Sequence, residues 1–240
     1  VGEPALIIEG STSPHSFTLK PSHAKLLEEA DIIFWVGESI ETFMERPLES
    51  IVKNAEVVEF MEVESINKLK FREESIHDYH DDHDDHEDHY DHDEHDDHDD
   101  HDDHDDHSGH DHHGHAHGEF DAHIWLDPMN AKEMVHEIAH ELGDLDPANK
   151  NKYEANAQAT IQVLDQLVND IEKEINKDAK FVVFHDAYQY FEERFNVNIL
   201  GAFTVNTDVM PGAEQLAEIR EIIEHDNVSC VFSEPQFNPD

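Results

Sequence analysis

A chain of 240 residues can bury one large core or two modest ones, so length leaves one or two domains open. Its 59 acidic against 15 basic residues give a formal charge of -44, which argues against nucleic acid or an anionic membrane surface as a partner and favours cations. No apolar run reaches the roughly 18 to 20 residues of a membrane span.

The chain opens at Val1 without an initiator Met or a signal peptide and runs directly into an apolar, strand-like stretch, as a processed or truncated chain would. Short apolar strands then alternate with amphipathic helices: a strand at 5–8, a helix at 21–30, a strand at 32–36, a helix at 39–52 and a strand at 57–60. This βαβ rhythm, with unbroken apolar runs such as Ile32-Ile33-Phe34-Trp35-Val36, predicts an α/β fold with a mainly parallel sheet covered on both faces. In such sheets ligands bind at the carboxyl ends of the strands.

Between residues 77 and 117 the pattern breaks. Most of the 23 histidines lie here, and no Lys or Arg does. From His77 to His110 a histidine falls at every third position, mostly between paired acids. Three is not the helical period, and the segment has almost no apolar surface to offset ordering entropy, so it is expected to be a disordered insertion. Neutral imidazoles suit Zn²⁺, Ni²⁺ and Cu²⁺, and flanking carboxylates concentrate cations, so the block is expected to bind metal without selecting one. The bland reading is an acidic solubilising linker.

After the block the rhythm resumes with His123-Ile124-Trp125-Leu126, an Asp127-Pro128 break and a helix at 131–142 stopped by Gly143. Asp146, as an N-cap before Pro147, opens a stretch to Asn176 without internal Gly or Pro. Its apolar residues recur at three- and four-residue spacing, predicting one amphipathic helix of about 45 Å. A strand at 181–184, a helix at 188–195, a strand at 197–203, a helix at 212–224 and a strand at 228–233 follow, and this second half reads as incomplete at Asp240. Cys230, the only cysteine, is either a small buried strand residue or half of a disulfide with a partner beyond the chain.

Outside the block, His15 lies in a loop after the first predicted strand, His123 heads a short apolar run and His185 ends Phe181-Val182-Val183-Phe184. Taken singly, each is as readily a cap or turn residue as a ligand. Their strand-end settings agree, however, and three imidazoles with one oxygen ligand would make the tetrahedral shell that zinc accepts. A rival pattern is His136-Glu137-Ile138-Ala139-His140, which matches the H-E-x-x-H of zinc peptidases. Against it, Ala131, Met134, Val135, Ile138, Ala139 and Leu142 form the apolar stripe of that helix and leave both histidines on the opposite, solvated face. Asp127 and Asp186 read as groups that support ligands or cap helices rather than as catalysts.

Ser13-Pro14-His15 with Lys20-Pro21-Ser22, Trp35-Val36-Gly37, Ala122-His123-Ile124-Trp125-Leu126-Asp127-Pro128, Phe184-His185-Asp186-Ala187-Tyr188, Phe203-Thr204-Val205-Asn206 and Val231-Phe232-Ser233-Glu234-Pro235-Gln236-Phe237 together resemble a known family. It is the cluster of ABC-transporter substrate-binding proteins for zinc and manganese, and within it the zinc branch of ZnuA type. The resemblance covers nearly everything outside residues 72–121. It implies two α/β lobes, here residues 1–145 and 178–240, joined by a rigid helix at 146–177, with the metal site between them. It also implies a periplasmic, monomeric, non-enzymatic protein that binds Zn²⁺ as transported ligand through His15, His123 and His185 and delivers it to an inner-membrane ABC permease. An imidazole at position 185, where manganese members usually carry a carboxylate, favours zinc. Pro14 stands where some zinc members have a glutamate, which leaves the fourth ligand open. The family's later acidic residue and a disulfide partner for Cys230 would lie beyond Asp240, with Glu234 a poor substitute ligand. The alternatives are an H-E-x-x-H metallopeptidase and a metal-storage protein that uses the histidine block.

Overall fold

The computed structural model describes residues 4–10, 12–72, 119–204, 207 and 211–236. The expectations of disorder and metal capture for residues 77–117 fall outside these. The described chain is α/β with parallel sheets. Pro21–Glu29 (α1) precedes Ile32–Trp35 (β1), and Glu45–Ser50 (α2) precedes Glu56–Glu59 (β2), which lies parallel to β1 with Ile32 opposite Glu56. Past residue 118 come Pro128–Leu145 (α3), Lys150–Glu174 (α4), Lys180–His185 (β3), Gln189–Phe195 (α5), Asn198–Thr204 (β4), Ala213–His225 (α6) and Cys230–Phe232 (β5). The second sheet has the order β4-β3-β5, all parallel. Its central strand therefore delivers its last residue, His185, to the carboxyl edge where such sheets bind ligands.

The long helix α4 is 25 residues, about 37 Å, and is preceded by a separate 3₁₀ turn at Pro147–Asn149, so it is shorter than periodicity alone predicts. Asp146 does not cap it through a backbone N–H. Its carboxylate instead accepts from the Asn149 amide and the Tyr153 hydroxyl. Near its start α4 packs Tyr153 and Ala157 against Ala139 of α3, and near its end Val168 and Ile171 pack, with Ile175 just beyond it, on the core of Val183, Phe195, Val197, Ile199 and Ala202. A third core brings Phe60, Ile66 and Ile124 together with Tyr190 of α5, so residues from both halves of the chain share one apolar cluster.

Several local expectations are corrected. Residues 5–8 form no strand: Leu6 is 61 % exposed and only Ile7 joins the core of Leu27, Ile33, Trp35 and Met44, so no buried face rewards a ladder. The helix foreseen at 39–52 is divided into a 3₁₀ turn, Thr42–Met44, and the short α2. Ile124–Leu126 is a 3₁₀ turn. Gly143 does not stop α3; it lies inside it, where a Cβ would sit 3.0 Å from Cγ of Lys150, so the glycine permits close approach of the next helix. Cys230 is exposed on the outer strand β5, which removes the buried-strand reading. Among the described residues no helix is long and apolar enough to cross a membrane.

Candidate metal centre

The segment around His123 is built from a turn inside a turn. Asp121 is buried, and its Oδ1 accepts both the backbone N–H of His123 (2.9 Å) and the His123 ring Nδ1–H (2.6 Å). Fixing the proton on Nδ1 leaves Nε2 as the basic nitrogen. One residue on, Ile124–Leu126 turns the chain into α3, whose start is set by Pro128 and by Asp127, a side chain that accepts from the Met129 N–H at 2.8 Å. Asp127 also holds Arg194 of α5 in a two-pronged pair at 2.8 and 2.6 Å. The reading of Asp127 as a capping group is thus met by its geometry.

His15 reaches the same place from its loop, where its backbone N–H bonds the Ser13 hydroxyl at 3.3 Å. Its Nε2 lies 3.3 Å from Nε2 of His123. His185 arrives from the end of β3, with ring centroids 5.0 Å from both other imidazoles. One nitrogen from each ring lies within 4.8 Å of the others, and among the described residues this is the one such group of His, Cys, Asp or Glu that could hold a metal ion. Two ligands bound tetrahedrally at about 2.05 Å stand about 3.3 Å apart, so the His15–His123 spacing already suits one zinc ion.

Burial, then the neighbouring His123 and His15, pushes the His185 imidazole down to about 2, which keeps it neutral and competent to bind metal. Asp186 acts in the opposite direction and is outweighed by these. Glu234, which sequence reasoning set aside, is brought to 3.9 Å of His185 Nδ1 and accepts from the Tyr188 hydroxyl at 3.4 Å. Burial raises its carboxyl above the ordinary carboxylate range and pushes Tyr188 up to about 12. Asp121 is the neighbour of the three rings that sequence reasoning missed, whereas Glu234 was named there and set aside for want of structural support. An acid two residues before a candidate ligand was the available signal for Asp121.

The rival motif has no such convergence. His136 and His140 are exposed on α3, and His140 Nδ1 lies 3.0 Å from the carboxylate of Glu141 rather than near another imidazole. The groove of about 210 Å³ between α3 and α4, lined by Val135, Ile138, Leu142 and Tyr153, contains neither of these histidines nor any of the central three.

The family model described as "Zinc-uptake complex component A periplasmic", ZnuA, matches residues 1–240. The chain belongs to the ZnuA family. Among relatives, the high-affinity zinc uptake system protein ZnuA of Brucella abortus (strain 2308) is 48% identical over 244 residues, spanning 100% of this chain and 72% of that protein. The protein of the same name from Yersinia pestis is 35% identical over 237 residues, spanning 98% and 69%. A crystal structure of ZnuA superposes with a TM-score of 0.71 at 23% identity, covering 98% of this chain and 74% of that one, a likeness of fold. The α/β architecture with parallel sheets and one long helix is that of the ZnuA family.

Proposed function

We propose that the chain is the zinc-binding component of an ABC uptake system. It holds one Zn²⁺ ion tightly with His15, His123 and His185 and passes it to a permease in the inner membrane. The observation that carries this reading is the convergence of three imidazoles from separate segments, with two Nε2 atoms 3.3 Å apart and a third ring held neutral by burial. The names of the relatives, high-affinity zinc uptake proteins, and the periplasmic family description support cargo and compartment. The protein acts as a monomeric binding protein and not as a catalyst.

The division into residues 1–145, 146–177 and 178–240 belongs to the same reading. It is supported by α4, which packs on α3 near one end and on the β3–β4 core near the other. Residues 77–117 capture further zinc ions weakly, since many imidazoles without fixed geometry bind in an exchangeable way. The test is a zinc titration of the intact chain beside a variant lacking residues 77–117. One tight site is expected in both, with additional weak ions only in the intact chain. Loss of all tight binding on deletion would instead establish the storage reading.

A further inference from the structure

The His/Asp-rich segment leaves and rejoins the described chain at a short antiparallel stem. Lys70 pairs with Phe120, the Phe71 N–H donates to Glu119 O at 3.1 Å, and the Asp121 N–H donates to Leu69 O at 2.9 Å. Tyr190 of α5 locks this stem, its hydroxyl donating to Asp121 O at 2.6 Å and accepting from the Leu69 N–H at 3.0 Å. One strand of the stem ends in Asp121, which orients His123. The other ends in Arg72, whose guanidinium grips Asp186, the residue after His185, through Nη2 at 2.6 Å and Nε at 3.2 Å, while Nη1 reaches Glu192 of α5 at 2.8 Å.

We propose that Arg72 is a positioning residue for the three-histidine centre, bracing the turn after β3 against the stem so that His185 and His123 are held at one mutual spacing. The inference rests on the zinc-binding reading above. Its geometry is specific. The Arg72 side chain is 22 % exposed, and its partners Asp186 and Glu192 are 5 % and 13 % exposed, so three charges are drawn out of water and satisfied by a forked donor that Lys cannot reproduce. Asp186 is tied on its other side by its own N–H to Thr204 O at 3.0 Å, and Glu192 by the Ile199 N–H at 3.3 Å. Pulling on the stem therefore pulls on the end of β3 and on α5 together. The same two strands that enter the histidine-rich segment thus each carry a brace for one ring of the centre.

The experiment loads the full chain with less than one equivalent of zinc and follows release of the slowest ion to excess chromophoric chelator. Wild type, Arg72→Gln, Arg72→Lys and His185→Ala are compared well below their melting temperatures. Arg72→Gln is expected to speed the slow phase by up to about tenfold, no more than the lower end of what loss of a ligand's own hydrogen-bond partner costs, because Arg72 acts through Asp186 and not on a ring directly. Arg72→Lys, which keeps the charge and loses the fork, is expected to fall between it and wild type. A purely structural role would lower the melting temperature of the zinc-free protein without moving the release rate. A rate for Arg72→Gln within twofold of wild type overturns the inference, and if that variant does not fold, a wild-type rate for Arg72→Lys does so. His185→Ala should abolish the slow phase, and its persistence there would sink the three-histidine reading itself, independently of Arg72.

Discussion

Replacing Asp121 with Asn isolates the electrostatic part of ligand orientation, because the amide keeps the shape and one acceptor oxygen but removes the charge. In the protein the carboxylate oxygen Oδ1 is shared between the backbone and ring N–H groups of His123, at 2.9 and 2.6 Å, in a site where Asp121 is 3 % exposed. A zinc ion on Nε2 draws electron density from the ring and makes its Nδ1–H a stronger donor, so the charged acceptor matters more with metal than without it. Loss of such a partner weakens metal sites by about 10- to 100-fold, about 1.4 to 2.7 kcal/mol. The assay is competition with a chromophoric zinc chelator in the chain lacking residues 77–117, with His136→Gln on the exposed face of α3 as control. A folded Asp121→Asn protein with unchanged zinc affinity would refute the reasoning.

The zinc-free protein is expected to lose stability as pH falls below about 6.5. The unfolded His185 takes a proton there, whereas the folded ring, enclosed by His15, His123, Asp186 and Glu234, stays neutral down to about 2. The difference reaches about 2 kcal/mol by pH 5. Urea midpoints at pH 7 and pH 5 should therefore separate wild type from His185→Gln, and parallel pH dependence in the two would contradict the burial argument. Substituting His136 and His140 together with Ala should leave the tight zinc site within twofold, because both are exposed. Zinc-dependent peptide hydrolysis that disappears on Glu137→Ala would revive the peptidase. At limiting zinc the intact chain should load its tight site faster than the chain lacking residues 77–117, an advantage that saturating zinc erases, and equal rates would reduce the segment to a reservoir or spacer.

The alternation of apolar strands and amphipathic helices was legible because unbroken apolar runs are covered on both faces, as in β1, whose Ile33 and Trp35 enter one core while Phe34 packs against another. The run at 5–8 shows the limit. Apolar residues that only send Ile7 inward carry the same letters as a paired strand, and pairing is decided by a partner elsewhere. Gly143 misleads for a related reason: its cause is Lys150 on the next element, not the end of its own helix. The three central histidines stood out by the family motifs, whereas the strand-end setting read for each holds only for His185 at the end of β3: no strand precedes His15, and His123 heads a 3₁₀ turn. Asp121 and Arg72 did not, because each is one charge beside a long run of acids and histidines. Their importance lies in contacts reaching His123 two residues away and Asp186 on the far side of the chain.

The central claim, that one zinc ion sits on three imidazoles, is tested most directly by zinc X-ray absorption on the chain lacking residues 77–117, loaded with one equivalent. Three imidazoles, counted from the multiple scattering of their outer ring atoms, with one oxygen ligand and a first shell at about 2.0 to 2.1 Å, are expected, falling to two imidazoles on His185→Ala. A wild-type spectrum with fewer than three imidazoles, or one unchanged by His185→Ala, would contradict the account.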